Sequence, residues 1–346
     1  LTSYFDDWHM VLPAISTGPT VWGVPPETPG TGMAALGYAT RHLIRTGRPQ
    51  GGSGALTDAV AASFAAAGGR TQTSAIVAKL LVRDEAVAGV ELTNGDRLNA
   101  PIVVTACDPN QVMLEWLSEM PSAARKTQKR YQDQPVHDGY ESKIDAVIDG
   151  RPGLVGMEAL QTRFANTDML EPTVVVSPSL DELAQAHQLR AGGQVAESPT
   201  ILMNIPSVLD PTMKSPDGRH ILSLEVLFTP YSHPGGWSDS DEPRRWFDVA
   251  NKFWTPPIVP AEHEWRAMTP DIYESDFHMP RGHAPSYVAS PLATLMGKSR
   301  EVSRYRSPVK GLYLSGAGTW PGAGIFGAPG RNAADAVLTD VHKGSR

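Results

Sequence analysis

The sequence predicts an α/β (α+β) protein, and three patterns along the chain support this class. A helical pattern at residues 55–67 leads into β-rich runs between residues 76 and 107, which is typical of a helix followed by an antiparallel meander. Apolar residues alternate along two runs within 109–305, which favours a second antiparallel sheet with one covered face. A short apolar strand at 309–315 and a helix at 329–341 follow.

Length, charge and cysteine content exclude several classes of protein. The 346 residues are enough for two domains, and 30 basic against 37 acidic residues give a net charge of −7, which disfavours a nucleic-acid partner. The single cysteine, Cys107, rules out an intrachain disulfide and a cysteine-based metal cluster, and we expect a packed thiol there. The histidines lack metal-ligand spacing, so no metal site is predicted. Because no run reaches the ~18 apolar residues of a membrane span, we expect a cytoplasmic protein, with peripheral membrane contact left open.

Local signals define the helix and the hairpin of the first pattern. The helix follows a Gly-rich run at 51–54, with Ser53 and Thr57 as alternative N-caps and Gly68 as its stop. Asn94-Gly95 is a strong signal for a tight hairpin between two strands. We expect residues 97–107 to add the third strand of the meander.

The densest signal lies between the last strand and the last helix. Glycine is needed where φ is positive or where a ligand must approach the main chain closely. The N-terminus of the following helix offers unpaired N–H groups and a partial positive charge. This segment therefore predicts a site for an anionic or polarised ligand. Six glycines fall within fifteen residues here, namely Gly316, Gly318, Gly322, Gly324, Gly327 and Gly330.

Two other interpretations of this glycine-rich segment are weaker. A flexible linker is disfavoured because Trp320, Ile325 and Phe326 lie within the segment. Residues 322–327 match the dinucleotide pattern GxGxxG, but no second strand follows with an acidic residue about twenty positions on. The segment is therefore not predicted to be the first βαβ unit of a nucleotide-binding domain.

Residues 311–337, GLYLSGAGTWPGAGIFGAPGRNAADAV, resemble the C-terminal flavin-binding motif of phytoene (carotenoid) desaturase-like FAD-dependent oxidoreductases. The pyridine nucleotide-disulfide oxidoreductase domain protein subgroup looks most similar. Residues 49–69 and 73–109 match other stretches of the family in the expected order. Three ordered matches make a chance resemblance improbable.

The resemblance implies an incomplete FAD-binding Rossmann-like domain and a substrate domain with a mixed or antiparallel sheet. Residues 51–108 and 306–346 would belong to the FAD domain, and residues 1–50 and 109–305 to the substrate domain. In the family an N-terminal GxGxxG unit should precede residue 1. We therefore expect the C-terminal part of a longer protein, which is unable to retain FAD securely by itself.

The resemblance also implies which residues touch the cofactor. The main chain of Val77 would read the adenine edge, and the start of the last helix would face the flavin C2 carbonyl and stabilise the anionic reduced flavin. The wider family often has an acidic residue at the position of Ala317, so only the N–H of Ala317 is left to approach the pyrophosphate. No catalytic residue is implied, since hydride transfer to flavin can need only positioning. The implied contacts are Val77, Gly316, Ala317, Gly318, Gly324, Ile325, Gly327, Ala328 and Pro329.

Two functions follow from these expectations. The first is an FAD-dependent oxidoreductase, of dehydrogenase or desaturase type, acting on a hydrophobic isoprenoid or lipid substrate by analogy with the family. The second is a non-catalytic module that binds an apolar ligand or a protein and has lost the ADP-binding unit. Neither interpretation predicts the electron acceptor or the oligomeric state.

Overall fold

The structure is a computed structural model that describes residues 3–21, 23–25, 28–40, 43, 47–134, 138–261, 264–283, 296–297, 299–322, 324 and 327–344. The chain divides into two compact units. The first comprises Leu1–Pro26, Ala34–Ala67 and Asp138–Ala284, and the second comprises Glu27–Met33, Gly68–His137 and Pro285–Arg346. Helices and antiparallel sheets occur in both units, which confirms the α+β class.

The elements of the described residues are as follows. The strands are β1 (Val77–Arg83), β2 (Ala86–Leu92), β3 (Arg97–Asn99), β4 (Val103–Thr105), β5 (Tyr140–Ile148), β6 (Gly153–Leu154), β7 (Val174–Val176), β8 (Ile201–Asn204), β9 (His220–Thr229), β10 (Trp254–Thr255), β11 (Trp265–Met268) and β12 (Leu312–Leu314). The helices are α1 (Trp8–Ser16), α2 (Ala34–Thr40), α3 (Gly52–Ala66), α4 (Arg125–Gln132), α5 (Glu158–Arg163), α6 (Leu180–Ala191), α7 (Pro206–Leu209), α8 (Glu242–Ala250), α9 (Pro270–Phe277), α10 (Arg300–Ser303) and α11 (Ala328–Gly344). None of the helices in this part of the chain has the length and apolar content needed to cross a membrane.

The first unit is built on a five-stranded antiparallel sheet in the order β11-β5-β9-β8-β7. Strand β5 alternates between buried and half-buried residues, and its Ile144 lies opposite Leu224 of β9. This alternation is the sequence signal that predicted the sheet. The main core covers one face and includes Ile144, Ala146, Ile148, Ile201, Met203, Leu222, Leu224, Val226, Trp237, Trp246, Phe247 and Trp254.

The sheet of the first unit is also covered on its other face at one end, so the prediction of a single covered face is wrong there. Phe228 of β9 is fully buried in a second cluster with Tyr140, Leu183 of α6 and Val11 of α1. Nearly every residue in the second half of β9 is buried, which is the pattern of a strand packed on both faces. Helix α6 begins at a capping box between Ser179 and Glu182.

Helix α3 forms where the sequence predicts it, but with a different cap. The N-cap is Gly51, which has a left-handed φ of +80°, so the prediction of Ser53 or Thr57 as N-cap is wrong. The Gly51 N–H donates to Oδ2 of Asp210 at 2.6 Å, which fixes the start of the helix within the first unit. No residue of α3 is buried, and Phe64 is 51 % exposed. The helix groups with the first unit, and the predicted domain boundaries at 51–108 and 306–346 stay a prediction.

The second unit contains the predicted meander, with antiparallel strands in the order β1-β2-β3. Gly95 has a φ of +89°, and the Leu92 N–H donates to the Asp96 carbonyl at 2.9 Å, as the hairpin signal predicts. The third strand ends at Asn99, because Pro101 has no N–H to continue the ladder. The prediction of one strand across residues 97–107 is therefore wrong.

Strand β4 leaves the meander and pairs in parallel with β12 near the end of the chain. The Val103 N–H donates to the Gly311 carbonyl at 2.9 Å, and the Val87 N–H donates to the Lys310 carbonyl at 2.9 Å. These bonds attach the segment before β12 to both β4 and β2. The core of this unit includes Leu80, Val87, Val112, Met113, Leu117, Val302, Val309, Leu312 and Leu314.

Candidate functional site

The candidate site begins where the parallel strands β4 and β12 end side by side. Leu314 lies opposite Thr105, and the Ser315 N–H donates to the Thr105 carbonyl at 2.7 Å. Ligands of α/β proteins commonly bind beyond the carboxyl ends of parallel strands. The glycine-rich segment leaves β12 at this edge.

Gly316 is required by the packing of the protein itself. Its φ is +75°, and an added Cβ would lie 2.8 Å from the carbonyl oxygen of Ala106. A side chain is therefore excluded both by backbone conformation and by the close approach of the segment that follows β4. Gly316 fixes the exit direction of the segment, and its role is structural whether or not a ligand binds.

The next part of the segment is a compact turn. The Thr319 N–H and hydroxyl donate to the Gly316 carbonyl at 3.1 and 3.0 Å, and the Gly322 N–H donates to the Thr319 carbonyl at 2.7 Å. Thr319 is fully buried, Gly318 and Gly322 are buried, and Ala317 is half-buried. This turn is therefore held together by its own hydrogen bonds, and it exposes little main chain to a ligand. No motif in the sequence pointed to Thr319, although Thr hydroxyls commonly form hydrogen bonds with nearby main-chain groups in turns.

The open part of the segment lies at Gly324, Gly327 and the start of α11. Gly324 and Gly327 are exposed, and an added Cβ on Gly327 or Gly330 would meet open space. The Arg331 N–H donates to the Gly327 carbonyl at 3.0 Å, so the helical turn starts there. The first N–H groups of a helix have no partner within it. Pro329 has no N–H, so the hydrogen-bond donors of this turn belong to its neighbours. The buried ring of Pro329 fixes the φ angle at this position.

The predicted contacts are only partly brought together. Gly316, Ala317, Gly318, Gly324, Gly327, Ala328 and Pro329 follow one another around the turn and into α11. Ile325 lies outside the described residues. Val77 is the half-buried first residue of β1, an edge strand of the meander, and pairs with Leu92. Among the described residues no hydrogen bond joins Val77 to the glycine-rich segment, and its contact with a cofactor stays a prediction.

Cys107 lies two residues beyond β4 and is exposed, so the prediction of a packed thiol is wrong. The short strand ends at Thr105, before the cysteine can enter the core. The pKa of its thiol is raised, mainly by partial desolvation of the sulfur and further by the neighbouring Asp108. A thiol with a raised pKa is a poor nucleophile, which argues against a redox role.

Comparison with known proteins defines the class. No family model matches the chain. The chain is 31 % identical over 340 residues to pyridine nucleotide-disulfide oxidoreductase domain-containing protein 2 of Mus musculus, covering 91 % of the chain and 56 % of that protein. It is 27 % identical over 281 residues to a neurosporene-forming phytoene desaturase of Rhodobacter capsulatus, covering 80 % of the chain and 50 % of the desaturase. A solved oxidoreductase structure from Methanosarcina mazei aligns with a TM-score of 0.47 at 12 % identity, over 84 % of the chain and 55 % of that structure.

These relatives identify the chain as a homologue of oxidoreductases. More particularly, it is related to the phytoene desaturase-like oxidoreductases, with the pyridine nucleotide-disulfide oxidoreductase domain proteins among its relatives, which confirms the resemblance found in residues 311–337. The chain spans about half the length of the curated relatives it matches.

Proposed function

We propose that the chain works as part of an FAD-dependent oxidoreductase that dehydrogenates a hydrophobic substrate. One observation carries this proposal: the glycine-rich segment begins at the carboxyl end of the parallel pair β4–β12, and the exposed Gly327 stands at the first turn of the 17-residue helix α11. This arrangement suits a ligand that is planar, polarised and partly anionic. Because the chain is homologous to desaturase-like oxidoreductases, we propose that this ligand is a flavin.

The residues of the open turn fit such a group. The open space above Gly327 and Gly330 would admit a flat ring against the main chain, where a side chain would push it away. The N–H groups of Ala328 and Gly330 lie in the first turn of α11 and have no partner among the described residues. FAD, when bound, would supply the group that accepts a hydride from the substrate.

The charge at the start of α11 favours reduction of a flavin. The helix dipole places a partial positive charge at Ala328, and Arg331 adds a full charge in the same turn. Positive potential stabilises negative charge on a nearby ring, so it would favour the reduced anionic form. The chain's own contribution is thus orientation and electrostatic stabilisation, with no residue required to carry a proton.

The hydrophobic substrate is proposed by analogy. The Rhodobacter relative carries phytoene, an apolar hydrocarbon, in its name. We propose a substrate of the same chemical class for this chain, with residues 1–50 and 109–305 as the substrate domain. Cytoplasmic location and peripheral membrane contact stay predictions.

Titration of the purified chain with FAD tests the proposal. We expect a shift of the visible flavin absorption, and Gly327→Leu should weaken the apparent affinity by ~10-fold or more because the side chain fills the open space. Gly54→Leu in α3 is the matched control, since an added Cβ at Gly54 also meets open space. If the spectrum does not shift at any FAD concentration, this chain does not hold the flavin by itself. Binding of an apolar ligand without flavin would favour the non-catalytic module.

A further inference from the structure

Two glutamates lie next to each other on one face of the sheet in the first unit. Glu141 of β5 lies opposite Leu227 of β9, and Lys143 lies opposite Glu225. Residues directly opposite in an antiparallel pair share a face, and so do residues two positions apart along a strand. Glu141 and Glu225 are therefore diagonal neighbours on the same face, and both are half-buried.

A bulge in β9 lies beside this pair. Tyr140 lies opposite Thr229 but Glu141 lies opposite Leu227, so Phe228 is left without a partner. Phe228 has a φ of +66°, which is unfavourable for a bulky side chain, and it is fully buried. Bulges commonly re-aim a neighbouring side chain. Glu141 keeps the regular register that runs on to Ile148 and His220, which places it diagonally opposite Glu225, and the bulge shifts Tyr140 instead.

The surroundings of the two carboxyl groups are poor in water. Leu227 is fully buried beside Glu141, and Leu202 of β8 lies opposite Glu225. Tyr273 of α9 is buried near the pair, and the pKa of its phenol is raised by burial and then by the charges of Glu141 and Glu225. Two carboxylates this close in a desolvated place cannot both ionise without a large penalty.

The nearby cations do not neutralise both glutamates. Lys143 faces the pair from β5, but its Nζ also lies 2.7 Å from Oδ1 of Asp145. Arg266 of β11 forms an ion pair with Asp145, with 3.4 Å between a guanidinium nitrogen and Oδ2. Arg190 of α6 lies over the ring of Tyr140 and donates to the Asp138 carbonyl at 2.6 Å. Two glutamates thus share part of one lysine charge, and one of them keeps a proton.

The proton belongs on Glu141. Burial is the main factor that raises the pKa of this carboxyl group, followed by the charge of Glu225 and a hydrogen bond to it, and together they bring the pKa to about 8. Burial also raises the pKa of Glu225, but the hydrogen bond from Glu141 and the charge of Lys143 lower it. Glu141 is therefore the donor and Glu225 the acceptor.

We propose that Glu141 and Glu225 share one proton at neutral pH and that holding this proton stabilises the first unit, so that the unit is less stable at mildly alkaline pH than in mild acid. On release, the acid–carboxylate hydrogen bond becomes two facing carboxylates, and the proton leaves to water. A carboxyl group whose pKa is higher in the folded than in the unfolded chain makes the folded state hold the extra proton between the two values. Stability then falls as pH rises from about 4.5 to about 8 and levels off above that.

Unfolding in urea from about pH 6 to about pH 9 tests the proposal. We expect the midpoint of the wild-type chain to fall as pH rises. Glu141→Gln keeps the shape and hydrogen bonding of the neutral acid, so its midpoint should stay nearly constant and exceed that of the wild type at the alkaline end. Glu225→Gln should reduce the slope partially, and the double variant should resemble Glu141→Gln. Glu158→Gln, an exposed residue of α5, is the matched control and should keep the wild-type slope.

Infrared spectroscopy gives a second readout that does not depend on unfolding. The C=O stretch of a protonated carboxylic acid should disappear from the wild-type spectrum between the same two pH values. The band that titrates in this range should be absent in Glu141→Gln. A wild-type midpoint that does not change with pH, or a Glu141→Gln variant with the wild-type slope and the wild-type band, would overturn the proposal.

Discussion

Glu301 is a buried carboxylate that accepts a hydrogen bond from Arg130 at 2.5 Å. Only 3 % of the residue is exposed, and the hydroxyl of Tyr131 donates to the same oxygen at 3.1 Å. The two bonds connect α10 to α4 inside the second unit. The Glu301 carboxylate is buried whereas the Arg130 side chain is 38 % exposed, so loss of Glu301 removes two hydrogen bonds to a charged group and takes the acceptor from the buried Tyr131 hydroxyl.

Glu301→Ala should therefore lower the free energy of unfolding by about 2 kcal/mol. Tyr131→Phe removes only one neutral donor and should cost about 1 kcal/mol. Urea denaturation measures both changes. Glu119→Ala, at an exposed position of the same unit, is the control and should change stability by less than about 0.5 kcal/mol. Equal losses for Glu301→Ala and Glu119→Ala would contradict the structural role of the ion pair.

Two glycines of the candidate site should respond differently to alanine. Gly316→Ala should destabilise the second unit by about 1–3 kcal/mol, because its φ is +75° and the new Cβ would lie 2.8 Å from the Ala106 carbonyl. Gly327→Ala should change stability little, since its Cβ enters open space. Thermal or urea unfolding of the two variants side by side measures the difference. Equal effects would mean that the backbone approach at Gly316 is absent in solution.

Acid should destabilise the chain through His187 of α6. Neither ring nitrogen has a partner among the described residues, only 8 % of the residue is exposed, and the ring packs edge-on against Phe228. Burial, and then the charge of Arg190, lower its pKa to about 4. The unfolded chain gains a proton on this residue below about pH 6.5, while the folded chain remains neutral until about pH 4. The contribution of His187 to stability is thus lost as pH falls through this range, with a sign opposite to that of the Glu141–Glu225 pair above about pH 4.5.

The loss attributable to His187 should approach about 3 kcal/mol below the folded pKa. His187→Phe keeps an aromatic ring in the cluster and cannot titrate, so its unfolding midpoint should fall less between about pH 6.5 and about pH 4. Exposed His278 supplies the control His278→Phe, which should retain the wild-type slope. A His187→Phe slope identical to that of the wild type would show that another group controls the acid response.

Reversing the charge of Arg331 should separate helix stability from the proposed flavin chemistry. Arg331 is exposed in the first turn of α11, where an acidic residue suits the helix dipole better. Arg331→Glu should raise the stability of the chain slightly, by about 0.5 kcal/mol. The same change should make the reduction potential of bound flavin more negative, because the reduced anion loses positive potential. A potential that is unchanged in the FAD-loaded chain would place the ring away from α11.

Much of the fold follows from local sequence patterns. The hairpin at Asn94-Gly95, the alternation along β5 and the helix after the Gly-rich run at 51–54 all depend on neighbouring residues, and each forms as predicted. The pairing of β4 with β12 does not, because the Thr105 hydroxyl and the Tyr313 carbonyl that it contacts are 208 positions apart. No periodicity within either strand specifies such a partner.

The sequence predicts which residues form the candidate site, but it does not predict which of them are exposed to a ligand. The sequence could not distinguish Gly316, which is required by the carbonyl of Ala106, from Gly327, which leaves open space. That distinction depends on which atoms of other segments pack against each Cα, and these segments are distant in sequence. The glutamate pair was missed for a related reason: alternation assigns Glu141 to the solvent side of β5, whereas α6 and α9 cover that side in the structure.

The parallel pair of β4 and β12 has a consequence for how the chain is made. During synthesis Val103–Thr105 leaves the ribosome long before Leu312–Leu314, so β4 has no partner until about two hundred further residues have emerged. Closing so large a loop costs chain entropy, which raises the free-energy barrier to folding and slows the assembly of the second unit. The five-stranded sheet, with β5 to β11 all inside residues 140–268, needs no such wait. We expect nascent chains stopped before residue 312 to protect this sheet from protease while residues 77–105 remain susceptible.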